Sequence, residues 1–179
     1  MGTMNERARR FVNALGFQIG WWACITGVRY DWQGPALLAG AGLLALHLIT
    51  SRQAWDEVRL MGVVVGAGIA VDVMLQAVGV LKFEGWRLGW LSPFWLWMVW
   101  ALFALTLNDS LAFLQKVPVR MNALLGAVFG TLSYVAGARL GAAVMVESVG
   151  NLLLMALTWA LLFPATVIWS RRLVRDQRA

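Results

Sequence analysis

The residues best suited to chemistry are polar side chains inside long apolar stretches. Asp72 lies in the run GVVVGAGIAVDVMLQAVGVL, which spans 62–81, and Gln76 follows it by one helical turn. A carboxylic acid in the middle of a membrane-spanning helix costs about 2.5–3.5 kcal/mol on insertion scales, so it normally faces a partner or a cavity. Asp72 is therefore expected to be buried and either paired or protonated. Two interpretations stay open: a structural hydrogen bond with Gln76, and a polar group that lines a functional cavity.

Other polar and aromatic side chains are expected at a similar depth. The candidate ligand-binding residues are Asp72, Gln76, Ser133, Tyr134, Arg139, Trp21, Trp97 and Trp100. Arg139 has three possible arrangements: an ion pair with Asp72, an ion pair with Glu147, or a side chain that extends to the membrane interface. The residues expected to serve as structural hydrogen-bonding groups are Asn13, Asn108, Glu147 and Asn151.

Motifs of known chemistry are mostly missing from the sequence. A single cysteine, Cys24, excludes an internal disulfide, a CxxC redox pair and a thiolate zinc cluster. A single histidine, His47, excludes bis-histidine haem ligation within one chain. A triad of Ser110, His47 and Asp109 is conceivable but has no motif to support it. The residues therefore predict no metal and no cofactor, assign no catalytic residue, and favour neither an enzyme nor a non-catalytic protein.

Composition and spacing indicate an integral membrane protein. Hydrophobic residues make up 60% of the chain and charged residues 13%, against about 25% charged residues in soluble domains. Apolar runs of spanning length predict an all-α six-helix bundle in a single transmembrane domain, residues 1–179. The predicted spans are about 11–28, 35–50, 61–81, 94–114, 121–138 and 150–169.

The basic residues predict the orientation of these spans. Six spans place both termini on one side, and the segments on that side carry eleven Lys and Arg, whereas the opposite side carries four. The positive-inside rule then puts both termini in the cytoplasm. The net charge of +6 is explained by this asymmetry, and nucleic acid is not an expected partner.

Glycine and tryptophan distribution predicts a cleft. Small-residue faces on the third and fifth spans allow close backbone contact, whereas the tryptophans are too bulky for such contact. We expect an elongated cleft, open towards the outer half of the membrane, with Asp72, Gln76, Ser133 and Tyr134 at its polar end. Its expected occupant is an acyl chain or similar apolar molecule, with the head group near Arg139.

Several runs resemble a known family. They are Asn13 with Gly20-Trp21, the span around Asp72, WALFALTLNDSL over 100–111 and LSYVAGARLG over 132–141. Together they resemble a bacterial family of small inner-membrane proteins catalogued only as a domain of unknown function. The Asn-Asp-Ser run departs from the Asn-His-Ser form of some members. Genes of this family often lie beside enzymes resembling cyclopropane-fatty-acid synthases and flavin oxidoreductases, so the resemblance implies a context of lipid modification.

These observations lead to one functional expectation and two alternatives. The expected function is binding or modification of a lipid or other apolar small molecule at a mid-membrane polar site in the bacterial inner membrane. The expected partners are membrane lipids, with a lipid-modifying enzyme or membrane protein as a possible further partner. The alternatives are a substrate-binding membrane subunit of a small-molecule importer and a non-catalytic anchoring or assembly subunit.

Overall fold

Six helices account for most of the described chain. The computed structural model describes residues 5–51 and 53–175. In this part of the chain the helices are α1 (Glu6–Arg29), α2 (Gln33–Thr50), α3 (Ala54–Ala77), α4 (Phe94–Thr106), α5 (Val119–Arg139) and α6 (Val149–Arg175). All except α4 are long and apolar enough to cross a membrane. The predicted all-α six-helix membrane bundle is confirmed.

The third predicted span is displaced along the chain. We expected a span over about 61–81, but α3 already begins at Ala54 and ends at Ala77. Asp56 and Glu57 occupy its first turn, where carboxylates are favoured by the helix dipole. The chain leaves the helix through Gly79, whose φ of +76° suits glycine. Asp72 consequently lies in the last third of α3 rather than at its centre.

The fourth predicted span, 94–114, is wrong in its second half. Helix α4 ends at Thr106, and the chain continues through a turn into a 3₁₀ segment, Ala112–Lys116. Polar side chains hydrogen-bond to backbone groups there. The Thr106 hydroxyl donates to the Phe103 carbonyl at 2.6 Å, and the Ser110 amide donates to Asn13 Oδ1 at 3.3 Å. These contacts provide partners that a helix would otherwise supply, so the helix can stop inside the bundle.

The bundle is arranged around α4. Helices α1, α2 and α3 all pack against α4, while α6 packs against α3 and α5. Glycines permit two of these contacts, because a Cβ at Gly68 would overlap the ring of Trp100, and one at Gly130 would overlap the ring of Trp159. Large aromatic side chains therefore pack directly against the backbones of α3 and α5.

The two ends of the bundle are different. At one end Arg9, near the start of α1, lies 3.3 Å from Asp109, and Gln115 donates to Ser170, near the end of α6, at 3.2 Å. We call this the termini end. Of the basic residues used for the orientation, Arg52 and Arg178 lie outside the described residues.

The opposite end is closed by a small sheet, and we call it the sheet end. Strands β1 (Leu81–Phe83) and β2 (Ala143–Met145) pair antiparallel, with Phe83 opposite Ala143. Phe83 and Leu81 point inward and are buried, whereas Lys82 points outward. The sheet joins the connectors after α3 and α5 and covers the core at this end.

Glycine packing on α3 predicts different stabilities for two substitutions in the same helix. Gly68→Ala should lower the free energy of unfolding by about 1–3 kcal/mol, because the new methyl group would displace Trp100. Gly66→Ala is the matched control: no atom lies within 4 Å of its Cβ position, and alanine favours a helix by about 0.5–1 kcal/mol. Thermal and denaturant unfolding in detergent would measure both. Equal stability of the two variants would contradict the described packing of Trp100.

Candidate functional site

Asp72 lies at the junction of three helices. Its side chain is fully buried, as expected from the sequence. Tyr134 of α5 donates a hydrogen bond from its hydroxyl to Oδ1, and Trp100 of α4 donates from Nε1 to Oδ2 at 3.0 Å. Both carboxyl oxygens are thus hydrogen-bonded, and the three side chains connect α3, α4 and α5.

The hydrogen-bonded group extends towards the sheet end. The hydroxyl of the fully buried Ser92, just before α4, lies close to the Asp72 carboxyl group. Trp97 donates from Nε1 to Ser92 Oγ at 3.0 Å. Trp97 therefore belongs to the surroundings of Asp72, through Ser92.

A cleft of about 360 Å³ runs beside this group. The lining residues come from α1, α4, α5 and α6, from both strands and from the turn after α4. We refer to α1 and α5 as the sides of the cleft and to α4 and α6 as its floor. Half of the lining residues are aromatic, eleven of twenty-two, and none is charged. A volume of this size is within the range of small-molecule sites, about 300–1,000 Å³.

Aromatic rings in contact with one another form the floor of the cleft and the adjoining part of its α5 side. The indoles of Trp100 and Trp159 are stacked, with centroids 5.2 Å apart and an interplanar angle of 16°. Tyr134 meets Trp159 edge-on at 5.8 Å. Since Asp72 accepts hydrogen bonds from Trp100 and Tyr134, it holds two of these three rings in place. Asp72 itself does not line the cleft. It positions Trp100 and Tyr134, which do.

Helix α5 widens where it meets these rings. Its residues Gly126–Gly130 form a π-helical segment between two α-helical halves. Cβ atoms at Gly126 and Gly130 would collide with Phe163 and Trp159 of α6. Single π turns inside α-helices occur often at functional sites. Here the segment allows two aromatic side chains of α6 to reach the cleft.

The exposed part of the cleft lies towards the termini end, whereas cytoplasmic termini together with an outward opening, as predicted, would place it at the sheet end. At the sheet end, Phe83 and Ala143 form part of the lining. Here α1 comes close to α5: a Cβ added to Gly137 would lie 3.4 Å from Cδ1 of Ile25. The exposed lining residues are Phe129, in the middle of α5, and Phe113, near the termini end, at 65% and 56% exposure. The sheet and the contact between α1 and α5 close the sheet end, so the cleft opens laterally, from mid-depth towards the termini end.

The structure brings together half of the predicted ligand-binding residues. Trp21, Trp100, Ser133 and Tyr134 line the cleft. Asp72 and Trp97 lie behind its wall, whereas Gln76 and Arg139 are not among the lining residues. Arg139 instead pairs with Glu147 at 3.6 Å, and both side chains are exposed. Of the three arrangements expected for Arg139, the structure contains the pair with Glu147.

Sequence reasoning missed much of the aromatic lining. Trp159 and Phe163 on α6, and Phe17 one turn before Trp21 on α1, all line the cleft. Their spacing of four residues places each pair on one helical face. This spacing predicts an aromatic face on α1 and another on α6, and the two faces line the same cleft.

A second polar cluster fastens the helices at the termini end. His47 Nε2 lies 3.1 Å from Glu57, and His47 Nδ1 lies 3.4 Å from the amide nitrogen of Asn13. The amide oxygen of Asn13 accepts from the Ser110 hydroxyl at 2.6 Å. The partner of Ser110 is thus Asn13, and the carboxylate beside His47 is Glu57 rather than Asp109. This arrangement does not form the conceivable triad, and it links α1, α2, α3 and the turn after α4.

The remaining predicted structural residues make local contacts. Asn108 accepts a hydrogen bond from Gln115 at 3.0 Å, and both residues lie in the segment that follows α4. Asn151 donates to the Val146 carbonyl at 2.8 Å beside the start of α6. Among the described residues, no group of three or more His, Cys, Asp or Glu side chains is placed to hold a metal ion.

Comparison with known proteins identifies the family. Residues 10–165 match the family described as "Protein of unknown function (DUF2878)". The chain belongs to this family. The match covers all six helices in whole or in part, and therefore includes Asp72 and the cleft. Searches of curated proteins and of solved structures found no match.

The hydrogen bonds of Asp72 predict an order of stability among three variants of this family member. Asp72→Leu leaves the Trp100 N–H and the Tyr134 O–H buried without an acceptor, at a cost of about 1–3 kcal/mol for each group. Asp72→Asn keeps one carbonyl oxygen and should lose less. The double variant Asp72→Leu/Tyr134→Phe should recover part of the loss, because it removes one of the two unpaired donors. Denaturant unfolding in detergent would measure these differences.

Tyr134→Phe alone is the control for this series. It should destabilise the protein modestly, by about 0.5–1.5 kcal/mol, since it removes one hydrogen bond. If its cost is the same in the parent and in the Asp72→Leu background, the two residues are not coupled and the described contact is refuted.

Proposed function

We propose that this protein binds a lipid acyl chain or a similar apolar small molecule in the cleft between α1 and α5. The observation that supports this best is the lining: a 360 Å³ space with aromatic and aliphatic walls and no charged residue. Apolar cavities exclude water and accept apolar molecules. A lateral opening at Phe129 and Phe113 suits a ligand that arrives from the bilayer rather than from water.

We further propose that the protein resides in a bacterial inner membrane with both termini in the cytoplasm. The support is the excess of Lys and Arg in the segments of the termini side, eleven against four. In this orientation the cleft opens towards the cytoplasmic half of the bilayer. A lipid-modifying enzyme acting on the bound molecule would then reach it from that side.

Blocking the cleft should remove the ligand. Ser133→Trp places a large ring inside the cleft, whereas Leu132→Trp places the same ring on a neighbouring residue that is 55% exposed and faces outward. Mass spectrometry of molecules retained after gentle purification should find an apolar ligand in the parent and in Leu132→Trp. The Ser133→Trp variant should retain at least about tenfold less, since a well-packed side chain replaces the ligand.

A thermal unfolding curve of each variant separates ligand loss from misfolding, and Ser133→Leu provides a milder block. Equal retention by the folded variants would show that the cleft is not the site. If an ATPase module or a soluble enzyme copurified with the parent and no apolar molecule were retained, the importer or anchoring alternative would replace this proposal.

The orientation can be tested with two matched substitutions in a background that lacks Cys24. Lys82→Cys lies at the sheet end and Lys116→Cys at the termini end, and both native side chains are exposed. An impermeant thiol reagent applied to intact cells should label Lys82→Cys and spare Lys116→Cys. Both should react after the membrane is permeabilised. The opposite pattern in intact cells would reverse the orientation.

A further inference from the structure

The described lining of the cleft has two hydroxyl groups, and the one on Tyr134 already donates to Asp72. Ser133 lies in the wall of the cleft, and within the described residues its Oγ makes no hydrogen bond. Yet Ser133 Oγ is not sealed among other atoms, in contrast to the buried and unpaired Oγ of Thr131 on the same helix. A hydroxyl in this situation is open to the cleft and available as donor and acceptor.

Among the other polar groups of the lining, Trp159 Nε1 has no hydrogen-bond partner in the part of the chain that the structure describes but is enclosed by other atoms, and Trp21 Nε1 can act as a donor only. Trp100 and Tyr134 both donate to Asp72, and Trp95 donates from Nε1 to the Glu84 carbonyl at 2.8 Å. These side chains present ring faces and edges to the cleft. Ser133 is therefore the hydroxyl through which a ligand can be oriented.

Charge is missing where a lipid head group would need it. None of the described lining residues is Lys, Arg or His. Arg139, the cation nearest to Ser133 along α5, is exposed and pairs with Glu147. A phosphate or carboxylate drawn into the cleft would lose its hydration without gaining a counter-charge, which is strongly unfavourable.

We infer that the cleft selects apolar molecules that carry one uncharged oxygen, a hydroxyl or a carbonyl, which hydrogen-bonds to Ser133 Oγ. This inference rests on the proposed function and specifies its ligand class. The oxygen lies near the closed sheet end, because Ser133 is within two turns of the end of α5. The hydrocarbon part extends along the stacked rings towards the opening at Phe129 and Phe113.

Three probes with the same C16 chain test this inference: hexadecane, 1-hexadecanol and hexadecyl phosphate. Binding to the full chain in detergent micelles can be followed by tryptophan emission, since Trp21, Trp95, Trp100 and Trp159 line the cleft. The alcohol should bind about two- to tenfold more tightly than the alkane, the increment of one neutral hydrogen bond. The phosphate should bind more weakly than the alcohol.

Ser133→Ala should bring the ratio of alcohol affinity to alkane affinity down to about one, because the variant has no hydroxyl to pair with the alcohol oxygen. Thr158→Ala is the control, because that hydroxyl bonds to the Leu154 carbonyl and does not line the cleft. Equal affinity for alcohol and alkane in the parent, tightest binding of the phosphate, or an alcohol preference that survives Ser133→Ala would each overturn the inference while the cleft remained a binding site. Failure of all three probes to bind would overturn the proposed function as well.

Discussion

The buried carboxyl group of Asp72 is the constraint on which the centre of the bundle depends. In hydrocarbon a polar group without a partner is expensive, and water is not available to supply one. Asp72 obtains its partners from two other helices, Trp100 on α4 and Tyr134 on α5. The same contacts decide where two large rings stand. The hydrogen bonds of Asp72 thus help to determine the shape of the apolar cleft. Asp72 does not line the cleft and influences it through Trp100 and Tyr134.

The cleft results from an imbalance between glycine and aromatic side chains. Gly68, Gly126 and Gly130 let Trp100, Trp159 and Phe163 sit against backbone. Helix α5 packs along α6, while α1 packs against α2 and α4. Between α1 and α5 the rings line a space that no helix fills. The placement of glycines opposite aromatic rings therefore explains the close packing of the floor, and the separation of α1 from α5 explains the open side.

The two ends of the bundle are held by different means. The small sheet at the sheet end satisfies backbone groups of two connectors and carries Phe83 into the core. At the termini end, Asn13 and His47 connect three helices with the irregular chain after α4. Because α4 stops at Thr106, this end depends on side-chain hydrogen bonds where a longer helix would use its own backbone.

The amino-acid sequence by itself determined the class of the protein, the number of helices and the burial of Asp72. These follow from local properties: lengths of apolar runs, and the cost of a carboxylate among them. It also indicated Ser133, Tyr134, Trp21 and Trp100, because polar and bulky residues are conspicuous in such runs.

Only the tertiary structure decided which of these residues meet. Gln76 shares a helical face with Asp72 in the sequence pattern, yet the partners of Asp72 come from α4 and α5, some 28 and 62 residues away along the chain. The end of α4, the strand pair that closes the sheet end and the direction of the opening likewise depend on contacts between distant segments. Periodicity reports which face of a helix is polar, but the identity of the helix that covers that face is a property of the packed bundle.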